Sequence, residues 1–168
     1  MCQSHRSLVA PPYALCVSEH GSRFWPAAFR LQYRILALLD PLVRAEWQRH
    51  GIGNIVDLEV ARRAGRGSRS RLVGLLHANG RIYVGHPNGA VGWTRDLQAA
   101  ATGVAHYYNG TFWPFNATQL GTGTERDAVI RSTGQHPFPG NLVYRLGRGH
   151  VRRAGIFFRL TDREPVSP

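Results

Sequence analysis

The sequence predicts an α+β domain in which mainly antiparallel strands carry flanking helices, and three observations predict it. Residues 55–60 alternate strictly, with Val56, Leu58 and Val60 on one face and Asp57 and Glu59 on the other, the period-two pattern of a half-solvated strand. Asn79-Gly80 and Asn109-Gly110 each stand between apolar or aromatic runs and mark hairpins, and Asn79-Gly80 supplies the two positive-φ positions of a type I′ turn. Between and around these strands, residues 27–51, 93–101 and 125–132 carry helical rather than strand patterning.

Taken in order, residues 1–26 mix Pro, Ser, His and Gly without periodicity and predict a poorly ordered leader. Residues 27–51 form an N-terminal helical segment in which Phe29, Tyr33 and Leu36 make one stripe, widened by Ile35, Leu38 and Leu39. Asp40-Pro41 has the form of an N-cap followed by a proline at the first helical position, which predicts two short helices or one kinked helix, closed by Gly51. With Arg30, Arg34, Arg44 and Arg49 on its other side, this element suits packing on the sheet, and it also suits an anionic membrane surface. The domain proper is predicted over residues 52–162, with a tail at 163–168.

Within it, Asp57 and Glu59 read as the solvated face of the first strand. Leu72, Leu75 and Leu76, then Ile82, Tyr83 and Val84, are the two arms of the central hairpin. A helix over residues 93–101 has Asp96 in its first turn, where a carboxylate complements the dipole. The second hairpin, 103–108 and 111–120, is rich in aromatic residues, and Pro114 marks an edge or a bulge. Tyr107, Tyr108, Phe112, Trp113 and Phe115 suit either a sheet core or stacking on a base. Thr124 is placed to cap a helix over 125–132 that Gly134 ends, a helical stretch contains Tyr144, and a last strand covers 151–160.

The central hairpin matters because of what flanks it. Before it stand Arg62, Arg63, Arg66, Arg69 and Arg71, interleaved with Gly65, Gly67, Ser68 and Ser70, so guanidinium forks, hydroxyls and backbone N–H groups can converge on a phosphate or carboxylate. After it, Gly85-His86-Pro87-Asn88-Gly89 lets the backbone pass close to a flat ligand, and a helix beginning near Trp93 and Thr94 turns its N–H groups to the same space. An anionic planar cofactor suits the two flanks together. A separate reading is that 62–71 is an arginine/glycine/serine arm for nucleic acid, bound with steep salt dependence.

This succession of basic loop, NG hairpin, Gly/Asn loop and Trp-Thr-Arg-Asp-Leu resembles the deazaflavin-dependent nitroreductase family over about residues 34–160, with Gly65-Arg66-Gly67-Ser68-Arg69 matching that family's basic loop. The resemblance implies a split β-barrel of six to seven strands, related to pyridoxamine-phosphate-oxidase-like flavin-binding proteins, that binds coenzyme F-420. It implies an oxidoreductase passing a hydride from the reduced deazaflavin to a small hydrophobic, electrophilic acceptor such as a quinone, an enone or a nitro compound. Arg63, Arg66, Ser68 and Arg69 would hold the cofactor phosphate; Gly85, His86, Asn88 and Gly89 would line the ring; Trp93 and Thr94 would present the helix start. Tyr144 and His86 would contact or polarise the acceptor. FMN or haem is the alternative cofactor within the same fold, and a homodimer is a further expectation.

Composition bounds these readings. The 168 residues suffice for one domain with a core. The net charge of +11 is carried entirely by arginine, since no lysine occurs, and it favours anionic partners. Cys2 and Cys16 have no third or fourth partner for a zinc site, and the eight histidines show no HxxxH or HxH spacing, so no metal site is expected. No Ser-His-Asp or Cys-His ordering suggests a hydrolase. Pro11 and Pro12 interrupt the only apolar stretch near the start, and no run approaches the roughly 20 residues of a membrane span, so the expected location is cytoplasmic.

Overall fold

The computed structural model describes residues 21–163. The greater part of the expected leader, with Cys2 and Cys16, and most of the tail lie outside the described residues. Seven antiparallel strands form a curled half-barrel flanked by five α-helices. In chain order these are α1 (Gly21–His50), β1 (Ile55–Ala61), β2 (Ser68–Gly74), β3 (Leu76–Ala78), β4 (Arg81–His86), α2 (Gly92–Ala100), β5 (Thr102–His106), β6 (Phe112–Gln119), α3 (Thr124–Ser132), α4 (Gly140–Leu146), α5 (Arg148–Ala154) and β7 (Ile156–Asp162), with a 3₁₀ turn at Thr133–Gln135 after α3. The sheet order is β2-β1-β5-β6-β7-β4-β3.

Register follows the side-chain pattern. In β1, Val56, Leu58 and Val60 are buried and face Leu97 of α2 within the curl, while Asp57 and Glu59 face outward. Both carboxylates are engaged: Asp57 accepts from Arg44 at 2.6 Å and from Ser70, and Glu59 from Ser68, with the His106 ring at 3.0 Å. Strands β4 and β7 differ because both of their faces are covered. Val84, Ile156, Phe158 and Leu160 join the core inside the curl, whereas Tyr83 and Phe157 join a second core beneath α1, α3, α4 and α5 with Phe29, Val129, Ile130, Tyr144 and Val151. A strand buried on both faces loses the alternation that marks β1.

Several expected boundaries differ. Residues 21–26 belong to α1 and not to a leader, and α1 runs unbroken through Asp40-Pro41. The proline removes the bond to the carbonyl of Ala37, but both residues are exposed, so water can satisfy that group. Asp40 is no cap; it lies 3.7 Å from Arg44 one turn on. Thr124 starts α3, and Gly123, not Thr124, is its N-cap. Residues 151–154 are the end of α5 rather than strand, with β7 starting at Ile156. In the central hairpin Asn79 and Gly80 have φ of 50° and 70°, as the I′ turn requires, but the hairpin is only Leu76–Ala78 against Arg81–Tyr83: Leu72 lies in β2 opposite Asp57 of β1, because β2 and β3 stand at opposite edges of the sheet. At Asn109-Gly110 only Gly110 has positive φ, and the loop closes from Tyr107 to Thr111 rather than as an I′ turn.

Candidate functional site

The loop after β4 becomes a site because a helix distant in sequence lies over it. Phe29 is fully buried against Tyr144 and His150 and anchors the start of α1 on α4 and α5. That places the Tyr33 ring 4.6 Å from the His86 ring, tilted by 33°. The space left open between α1 and the loop is a cleft of about 480 Å³. Pro26, Arg30, Tyr33, Arg34 and Ala37 line it from α1, and His86, Asn88 and Val91 from the loop. Arg30 and Arg34 are exposed at its edge; Arg30 Nε donates to the Pro26 carbonyl at 3.1 Å, which turns the guanidinium back along α1.

His86 is 6 % exposed, and burial pushes its imidazole down to about 4, so it is neutral near pH 7. Its Nδ1 accepts the Asn88 N–H at 3.2 Å. Tyr33 and Tyr144 share a hydrogen bond of 3.0 Å between their hydroxyls. Burial pushes Tyr33 up to about 12 and Tyr144 well above its ordinary value, so both stay protonated. The His136 ring lies 4.6 Å from Tyr144 on its other side and is likewise lowered by burial to about 4. The floor is thus neutral and aromatic, and the charge sits at the edge.

The structure divides the expected site residues. His86 and Asn88 line the cleft, but Asn88 has both side-chain atoms committed: Nδ2 donates to the Pro26 carbonyl at 3.2 Å and Oδ1 accepts from His150 Nε2 at 2.8 Å. It fastens α1 to α5. Tyr144, expected at the substrate, sits behind Tyr33 and does not line the cleft, because α1 covers it. Gly85 does not make room for a ligand; a Cβ there would meet the Phe157 ring and the Ile156 carbonyl, so it is a packing glycine between β4 and β7. Gly89, with φ of 74°, turns the loop against the Ala154 carbonyl.

The arginine-rich flank lies on the other side of Val91. Arg62 N–H bonds the Gly67 carbonyl at 3.1 Å, which closes 62–67 into a β1–β2 loop. Arg63 and Arg69 approach the buried carboxylate of Asp96 at 3.9 and 3.6 Å, and the Arg69 guanidinium fills the space a side chain at Gly92 would need. Asp96 therefore organises the loop and is not a first-turn dipole partner. Ser68 is not available to a phosphate, since its hydroxyl donates to Glu59. The Thr94 hydroxyl, 0 % exposed, is spent at the start of α2, accepting the Val91 N–H at 2.8 Å, and Trp93 packs against the core inside the curl. Arg66 stays exposed.

Sequence reasoning missed Arg30, Tyr33 and Arg34 as walls of the site; the available signal was a helix with aromatic residues on one side and arginines on the other. Of the aromatic residues in β5–β6, Phe115 is core, Tyr107 and Trp113 pack on the core's margin, and Tyr108 and Phe112 are exposed.

No family profile and no curated protein matches the chain in sequence. Among solved structures it is similar to the conserved hypothetical protein Rv2991 from Mycobacterium tuberculosis, at 11% identity and a TM-score of 0.51 over 66% of this chain and 74% of that one. The haem storage protein HutZ from Vibrio cholerae aligns at 14% identity and a TM-score of 0.49 over 76% of this chain and 92% of that one. A putative pyridoxamine 5′-phosphate oxidase from Listeria innocua aligns at 11% identity and the same TM-score over 80% and 94%. At these identities the likeness is one of fold.

Proposed function

We propose that this protein holds a planar, anionic cofactor in the cleft between α1 and the loop after β4. The observation that carries the reading is the cleft's construction: an apolar and aromatic interior of Tyr33, Val91 and neutral His86, with Arg30 and Arg34 at its edge. A volume near 480 Å³ falls within the range of about 300–1,000 Å³ usual for cofactor-sized ligands. The ring would lie against Tyr33 and His86, and the acidic group would meet the arginines at the edge, with Arg69 beside Gly92, next to Val91.

FMN or haem suits this arrangement at least as well as coenzyme F-420. A long polyanionic tail would call on the whole basic loop, yet Asp96 offsets part of its charge and Ser68 is occupied in the sheet. The deazaflavin-dependent oxidoreductase, passing a hydride to a small electrophilic acceptor, rests on the sequence resemblance. A flavin held there would supply the redox chemistry, and the chain would supply placement, exclusion of water and positive charge. Half-buried Tyr33 and buried His86, both neutral near pH 7, would keep the ring's surroundings dry. Tyr144 would hold Tyr33 in place through the hydroxyl pair and would not touch the acceptor.

The test is a parallel titration with FMN, haemin and coenzyme F-420, followed by fluorescence or absorbance, on the wild type and on an Arg30→Gln/Arg34→Gln variant. Saturable micromolar binding of one cofactor, weakened about tenfold or more in the variant, is expected. Failure of all three to bind, or binding indifferent to both substitutions, would remove the proposal.

A further inference from the structure

Helix α1 has two apolar faces, and only one of them is used. Trp25, Phe29, Tyr33 and Trp47 point into the protein, and the helix is pinned near both ends, by Phe29 in the second core and by Trp47 Nε1 donating to the Ile55 carbonyl at 2.9 Å with Arg44 on Asp57. Between these anchors residues 34–39 are exposed all round. On the outward side, Leu31, Ile35, Leu38 and Leu42 follow one another at spacings of four, three and four, flanked by Leu39, a continuous stripe along the helix. Leu38 is 82 % exposed and Leu42 71 %, values that isolated surface leucines reach but a run of this length seldom does.

We infer that this outward stripe of α1 docks on an anionic membrane surface, with the helix lying along the interface. The charges choose this occupant over a second copy of the chain. Arg30 and Arg34 border the stripe on one side and Arg49 closes its far end, all exposed, against two acids along the helix, exposed Glu46 and half-buried Asp40, which lies 3.7 Å from Arg44. Two copies meeting face to face would bring these arginines together in a molecule already at +11, whereas lipid headgroups would neutralise them as the leucines enter the acyl boundary. Docking on the surface is also what the length and hydropathy permit, because among the described residues no helix is long and apolar enough to cross a membrane. Arg30 and Arg34 border the cleft as well, so a docked α1 would bring the cleft's mouth to headgroup level.

The test is co-sedimentation of the full chain with vesicles of phosphatidylcholine alone and with about a third phosphatidylglycerol, for the wild type and for Leu38→Glu/Leu42→Glu. Both leucines are exposed, so the variant should keep the wild-type circular dichroism and melting point. Binding to the anionic vesicles only, reduced about tenfold or more in the variant, is expected. Equal binding by variant and wild type would mean that arginine charge alone attracts the protein, and would overturn docking through α1. So would absence of binding to anionic vesicles, including the case in which light scattering finds a dimer that the variant abolishes.

Discussion

The two flanks of the central hairpin were expected to act together at one rim, and they are held in opposite ways. The flank before it, residues 62–69, is exposed and fixed chiefly by one carboxylate, Asp96, and by its own loop closure. The flank after it, residues 86–91, is clasped between α1 and α5, with Asn88 bonded to both and His86 beneath Tyr33. A basic loop in water keeps its charges whatever the rest of the chain does. A cleft exists only if distant helices are in place, so its properties depend on the second core and can be lost without touching a ligand-contacting residue.

The contrast predicts where damage spreads. Phe29→Ala should be the most costly change, about 3–5 kcal/mol by denaturant unfolding, because it empties the anchor of α1, and cofactor binding should fall with it. A loss below about 1 kcal/mol would mean that α1 is not held by the second core.

Acid should act on the clasped flank as well. His86 and His136 are held near 4 in the folded chain against an ordinary value of 6.5, so the folded state binds fewer protons than the unfolded one between these limits. Their stabilisation is complete above pH 6.5 and is lost as pH falls toward 4, each histidine contributing at most about 1.4 kcal/mol per pH unit. Unfolding midpoints at pH 7, 6 and 5 should drop progressively, and less so in His136→Gln; a flat profile would contradict the burial of the two rings.

Asn88→Ala strips partners from the Pro26 carbonyl and His150 and should cost about 1–3 kcal/mol. On the open flank Arg66→Ala should change stability by less than about 0.5 kcal/mol while weakening any anion contact there. Were Arg66→Ala the more destabilising of these two, the comparison would be reversed.

These differences also explain what could be read from the residues. Strand β1 was legible because one of its faces is solvated, and the turn at Asn79-Gly80 was legible because Asn-Gly states its own backbone geometry there, whereas Leu72 was misplaced in that hairpin because an apolar run does not say which strand it pairs with. The continuity of α1 was not, since Asp40-Pro41 has the local form of a helix start and only the solvent around residues 37–41 allows the helix to pass through it. The end of α5 was mistaken for strand because Val151 is apolar and adjoins the apolar β7, which is covered on both faces and shows no alternation. In the site, His86 and Asn88 could be picked out from their loop, whereas Tyr33, Arg30 and Arg34 become walls only through a contact some fifty residues away along the chain. Tyr144, expected at the substrate, lies buried behind Tyr33 and does not line the cleft.

The claim that the clasped flank, and not the basic loop, receives the cofactor is tested most directly by amide hydrogen exchange with and without saturating FMN. Slower exchange across residues 27–37 of α1 together with residues 86–91 is predicted, with smaller changes in residues 62–69. Protection confined to 62–69, with α1 and the His86 loop unchanged, would contradict it.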